Sequence, residues 1–236
     1  MRKLFYISFL IFVSFSAASA QSTDLSQMFL ERGNRAAAGG NYERALNEYQ
    51  NGLTFGDNQQ AVLHYNIGVC YYHLGFTEKA VTEYKTAIEL KNGDYAQAWY
   101  SLGMAYIQLK DSVNAKASFS KTIELSGGKD TNALFELGML SARENNYETA
   151  IENFLSAIKY GGKRFPASHN NLGVMYAKIG NFEAAKRHFE IALKQSNGKL
   201  EEAVSNLRLS QNLLVLDSSA VIADLKLSEK SNLLNN

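Results

Sequence analysis

Cysteine and proline are nearly missing from this sequence, with one of each in 236 residues. The lone thiol, Cys70, excludes an intramolecular disulfide framework and any Cys-x-x-Cys redox or zinc motif, so stability has to come from packing. Charge of either sign is not in surplus: 24 Lys and Arg stand against 23 Asp and Glu. A nucleic-acid-binding protein normally carries a basic excess, so nucleic acid is not an expected partner. The histidines His64, His73, His169 and His188 form no i,i+4 pair with one another or with Cys70, and no metal or cofactor is expected. Phosphate-binding glycine loops, a nucleophile elbow and spaced carboxylate pairs are missing as well, which argues against an enzyme. No Asn-x-Ser/Thr sequon occurs, a mild argument against a glycosylated secretory protein. Disorder of the whole chain is excluded by an apolar content of 46%.

What is present begins with a leader. Residues 1–20 have a basic start at Arg2 and Lys3, an apolar run from Leu4 to Phe15, and then Ala18-Ser19-Ala20. This three-part layout predicts a secretory signal peptide cut after Ala20, because the apolar run is too short for the roughly 20 residues that span a bilayer. No later segment is long and apolar enough to span, so the mature chain should have no transmembrane segment. The expected location is a bacterial periplasm or cell envelope.

A 35-residue period organises the rest. Glycines stand at Gly33, Gly68, Gly103, Gly138 and Gly173, and alanines at Ala45, Ala80, Ala115, Ala150 and Ala185. Aromatic residues follow at Tyr49, Tyr84, Phe119, Phe154 and Phe189, then Leu53, Ile88, Ile123, Ile158 and Leu193. Within a unit the apolar spacing is helical, as in Leu63, Ile67 and Tyr71 and then Ala80, Tyr84, Ala87 and Ile88. Each period therefore predicts two helices, broken at Gly39-Gly40-Asn41, Gly75, Lys110-Asp111, Asn145-Asn146 and Gly180-Asn181, residue types that tolerate a left-handed backbone. A glycine inside a helix costs about 1 kcal/mol relative to alanine. Five in one column imply close helix approach, expected here as glycine against the facing alanine, with the aromatic beside them.

These columns resemble the tetratricopeptide repeat. The third unit carries the pattern most fully, with Trp99, Leu102-Gly103, Tyr106, Ala115 and Phe119; the second reads Leu63, Ile67-Gly68, Tyr71, Ala80, Tyr84 and Ala87. The period is one residue longer than the family's usual 34 and the consensus proline is replaced by Asn-Gly or Gly-Gly turns. The resemblance implies an all-α fold, a right-handed superhelical solenoid of about five helix pairs at 26–60, 61–95, 96–130, 131–165 and 166–200. A capping helix over 201–216, with Ala203, Leu207, Leu213, Leu214 and Leu216 apolar, and a flexible or weakly helical tail over 217–236 complete the expected organisation.

By the same resemblance, the first helix of each pair lines a concave groove. Residues three before, one after and four after the glycine should face it, and the middle repeats give that groove an aromatic and methionine-rich stripe of Tyr65, Val69, Tyr72, Tyr100, Met104, Ile107, Phe135 and Met139, joined by Asn170. Asn66 and Asn171, two before the glycine, are placed to bond a peptide backbone, and Arg143 and Lys178 belong to a polar rim. The Lys/Asn/Arg clamp by which one subgroup holds a terminal carboxylate is incomplete, since Leu30, Gln97 and Ser101 stand beside Asn34 and Asn66. His64 and His169 fill the slot of Trp99 and read as packing residues. The function implied is a scaffold or adaptor that binds an apolar peptide or helix of a protein partner in its groove. Self-association into an envelope structure, a groove for a small molecule or glycan, and occlusion of the groove by the tail are the alternatives.

Overall fold

The computed structural model describes residues 25–56, 58–161, 165–212, 222 and 224–229. The expected leader, Leu213, Leu214 and Leu216 of the capping helix, and tail residues 217–221, 223 and 230–236 lie outside these. The described residues are helical throughout their regular parts: α1 (residues 25–38), α2 (Tyr42–Leu53), α3 (Gln60–His73), α4 (Thr77–Leu90), α5 (Ala96–Gln108), α6 (Ser112–Leu125), α7 (Thr131–Arg143), α8 (Tyr147–Gly161), α9 (Pro166–Lys178), α10 (Phe182–Gln195) and α11 (Glu201–Asn212). No strand occurs among them. The chain divides inside α6 into two compact units, residues 1–118 and residues 119–236. In unit 1, α3 packs on α2 and on α4, and α4 on α5; in unit 2, α7, α8, α9, α10 and α11 each pack on the next.

The break between the helices of a pair follows one backbone rule. Gly40, Gly75, Lys110, Asn145 and Gly180 all have positive φ, between 60° and 83°. The residue after each donates its N–H to a carbonyl five positions back: Asn41 to Ala36, Phe76 to Tyr71, Asp111 to Tyr106, Asn146 to Ser141 and Asn181 to Tyr176. This closes the first helix and leaves the next residue to start the second. Asn41 and Asn181 then accept from the backbone N–H three residues on, at 3.0 and 3.1 Å, which satisfies a donor the new helix leaves open. Pro166 opens α9, where its missing N–H costs nothing.

The glycine column sets how near the two helices lie, but its partner is not the one expected. For four of the five glycines the nearest atoms are those of the aromatic ring sixteen residues on, not the alanine. A Cβ on Gly33 would lie 2.3 Å from the Tyr49 ring, on Gly68 2.7 Å from Tyr84, on Gly138 2.6 Å from Phe154 and on Gly173 2.4 Å from Phe189. The rings are buried, as are Ala45, Ala80, Ala150 and Ala185 beside them. A flat ring on a bare Cα brings the helix axes together at a distance no side chain at that glycine would permit.

Gly138→Ala should therefore destabilise the chain by about 1–3 kcal/mol through overpacking, although alanine is the better helix former. Phe154→Leu removes the obstructing ring, and in that background the same Gly138→Ala change should cost clearly less in urea unfolding. Equal costs in both backgrounds would show that the ring is not the constraint.

Candidate functional site

With glycine and ring facing inward, the residues at the −3, −2, +1 and +4 positions of each first helix are left on another side. The two units treat them differently.

In unit 1, α3 contributes Tyr65, Asn66, Val69 and Tyr72, and α5 contributes Tyr100, Met104 and Ile107; all seven are half-buried. Tyr65, Val69, Tyr72, Tyr84, Ser101 and Met104, with His73, line a cavity of about 230 Å³. The Tyr65 ring meets Tyr84 at 5.8 Å and Tyr95 at 5.4 Å, and its hydroxyl lies 3.4 Å from Ser101 Oγ. Burial lifts the Tyr84 phenol far above its ordinary range and Tyr95 to about 12, so these phenols are neutral hydrogen-bonding groups at any physiological pH. Asn66 donates to Asn34 Oδ1 at 3.4 Å, and that oxygen also accepts from the Tyr49 hydroxyl at 2.8 Å. The two asparagines of the incomplete clamp thus bond to each other.

In unit 2 the expected open stripe is closed. Phe135, Met139, Asn170 and Asn171 have 1% exposure or less, so they face no open groove here, in line with the expected alternative that the tail occludes it. The cause is the chain's own C-terminal segment. Residues 225–229, expected within a flexible or weakly helical tail, have no helical turn, and Leu225 joins the buried cluster that holds Phe135, Met139, Val174 and Met175. Ile222 and Leu227 pack against the same cluster. An apolar column left over from helix pairing has been covered by apolar residues of the same chain.

The polar part of this contact is specific to main chain. Asn206 Nδ2 donates to the Lys226 carbonyl at 2.7 Å while its Oδ1 accepts from the Lys226 N–H at 2.8 Å. Asn171 repeats the arrangement on Ser228, with Nδ2 to the carbonyl at 2.9 Å and Oδ1 from the N–H at 2.6 Å. Asn170 ties the two together: its Nδ2 donates to the Lys226 carbonyl at 2.9 Å and to Ser228 Oγ at 3.1 Å, and its Oδ1 accepts from Asn206 at 2.9 Å. Asn170, Asn171 and Asn206 are wholly buried, so the segment supplies the partners their amides require. At the far end, Arg143 of the polar rim donates to Glu229 at 2.8 Å. Asn206 escaped sequence reasoning, although it stands 35 residues after Asn171 and the period itself points to it. Occlusion by the tail was an expected alternative, but the part played by Ser228 escaped because nothing local marks it as a docked residue.

Burial shifts several titratable groups. Glu136, at the same register as Asn66 and Asn171, has its carboxyl pushed up to about 7, chiefly by burial and also by Glu229, with Arg143 opposing. His169 Nδ1 lies 3.0 Å from His188 Nδ1, and His188 stacks between His169 and Tyr176 at 5.2 and 5.3 Å. Burial lowers both histidines, His169 to about 4, so both are neutral near pH 7. In unit 1, His64 contacts Glu83 at 2.6 Å, and the Cys70 thiol is buried and pushed up to about 11, an unreactive state. Among the described residues no group of three or more His, Cys, Asp and Glu is placed to hold a metal ion.

Family comparison agrees with the geometry. Two models described as tetratricopeptide repeat match residues 96–128 and residues 30–95 with 135–199, more than half of the sequence. The chain belongs to the tetratricopeptide repeat family. No curated protein matches it. Among solved structures it is similar to the MamA protein, with 21% identity, 76% of this chain and 96% of that chain covered and a TM-score of 0.65. The protein titled pilF of Pseudomonas aeruginosa aligns with 15% identity, coverage of 87% and 90%, and a TM-score of 0.70. YrrB, titled a TPR protein with an unusual peptide-binding site, aligns with 23% identity, coverage of 80% and 95%, and a TM-score of 0.62. At these identities the shared property is the tetratricopeptide fold, an all-α solenoid. Proteins of this family are in general non-enzymatic scaffolds for protein–protein interaction.

The two kinds of buried acid in unit 2 act in opposite directions on stability. A histidine with a depressed folded pKa stabilises above its ordinary 6.5, and that contribution is lost as pH falls from 6.5 through about 4. A carboxyl with a raised folded pKa does the reverse, and its contribution is lost as pH rises from 4.5 through about 7. Thermal melts between pH 7 and 4.5 should show a smaller acid loss in His169→Gln and a larger one in Glu136→Gln than in the native chain. Identical pH slopes in all three proteins would contradict the assignment.

Proposed function

We propose that this tetratricopeptide protein is an exported scaffold of a bacterial periplasm or cell envelope, and that α3 and α5 of unit 1 receive an apolar peptide from a protein partner. The observation that carries this reading is the surplus aromatic and methionine column itself. Tyr65, Val69, Tyr72 and Met104 lie outside the glycine–ring contacts themselves, are half-buried, and surround a cavity of about 230 Å³. Apolar surface of this kind, flexible at methionine and rigid at tyrosine, suits a peptide ligand. Unit 2 supports the ligand class, since the corresponding column is covered by a stretch of this chain without helical turns. The peptide-binding site of YrrB supports it further. Export rests on Arg2 and Lys3, the apolar run from Leu4 to Phe15 and the small residues Ala18 and Ala20.

Selection from a random-peptide display library should return apolar peptides whose affinity drops at least about tenfold on combined Tyr65→Ala and Met104→Ala substitution, with helicity unchanged by circular dichroism. Peptides that bind equally well to the substituted chain would remove the α3–α5 face from consideration. For export, sequencing the amino terminus of protein recovered from the periplasmic fraction should give Gln21 first; a chain retained in the cytoplasm with Met1 in place would refute it.

A further inference from the structure

In unit 2 the chain's own segment lies against three buried asparagines. Covering an apolar core does not require buried amides, because apolar side chains would do so without removing three asparagines from water. Yet Asn170, Asn171 and Asn206 are wholly buried, and their amides are directed at the main chain of Lys226 and Ser228, both N–H and C=O in each case. Main-chain bonds carry no sequence information and are available to any extended peptide; pockets for alternate side chains supply the selectivity. The side-chain requirements can be read from the occupant. Leu225 and Leu227 enter or flank the apolar cluster, Ser228 is buried with its hydroxyl on Asn170, and Glu229 pairs with Arg143. Lys226 between the leucines is exposed and unread.

We propose that α7, α9 and α11 form a binding site for an extended peptide of the pattern apolar, any, apolar, small hydroxyl, acidic, and that residues 225–229 are its resident and displaceable occupant. The segment is joined to α11 by residues 213–224 and competes from within the same molecule. Such tethering corresponds to an effective concentration on the order of millimolar. An outside ligand therefore gains the site only by matching these contacts and adding others, which makes the C-terminal segment a threshold on partner binding. This inference does not rest on the unit 1 face.

The probe is a fluorescent peptide with the sequence of residues 222–230. Leu225→Asp with Leu227→Asp should release the resident segment, and the released chain should bind the probe at least about tenfold tighter than the native chain. Adding Asn171→Ala and Asn206→Ala should remove most of that gain, and a scrambled peptide should bind at least about tenfold more weakly. A released chain that is folded by circular dichroism yet binds the probe no better than the native one overturns the proposal, as does equal binding of the scrambled peptide. If the released chain does not fold, amide exchange on the native chain decides. Lys226 and Ser228 N–H should then exchange at least about tenfold faster than the α9 interior, and faster still with excess unlabelled peptide. Exchange at the α9 rate, unmoved by peptide, would make the segment a permanent part of the core.

Discussion

The contact of a flat aromatic ring with a bare glycine Cα is the constraint on which the helix pairs depend. It holds for Gly33 with Tyr49, Gly68 with Tyr84, Gly138 with Phe154 and Gly173 with Phe189. The ring fills the volume a side chain would take, so the helices of a pair meet at short range and the small alanines beside them complete a dry interior. That interior is closed within each pair. The residues on the other side of the first helix border that interior, as Tyr65 meets Tyr84 and Phe135 meets Phe154, and what covers their outer face is a separate decision of the sequence.

That decision falls differently in the two units. In unit 1 the column holds tyrosines, valine and methionine at half-burial around a small cavity, beside the Tyr84 and Tyr95 phenols that burial keeps neutral. In unit 2 the column changes to Phe135 and Met139 and then to asparagines, and a segment without helical turns lies against it. Asparagine suits this position because one amide carries a donor and an acceptor side by side and so matches the N–H and C=O of a single residue. A leucine would cover the core as well but could not fix the register of the segment. The half-buried Glu136 and the His169–His188 pair give unit 2 two opposed pH responses.

The helical class, the 35-residue step, the turn positions and the family were all legible, because each depends on short-range rules repeated five times. Glycine or asparagine at a positive-φ position and an aromatic sixteen residues after a glycine are local patterns that any register displays. Asn66 and Asn171 were legible as candidates for main-chain bonding by their place before the glycine, and for Asn171 that bonding is to Ser228. Phe135, Met139 and Asn170 read as open because a count along one helix says nothing of a segment that returns from more than fifty residues away. The approach of His169 to His188 was equally hidden, the two lying on different helices nineteen residues apart.

By itself the sequence determined the repeated unit: two helices, a left-handed break, and a glycine that admits a ring. Those features follow from φ preferences, helical periodicity and the size of one side chain, all of which act within a single period. Only the tertiary structure decided which surplus faces are covered. The pairing of Lys226 with Asn206 and of Ser228 with Asn171 is set by where the end of the chain returns, and main-chain N–H and C=O groups are the same at every residue. A contact made to the backbone leaves no mark in the amino-acid code of its partner, so the residue types at Lys226 and Ser228 do not announce these main-chain bonds.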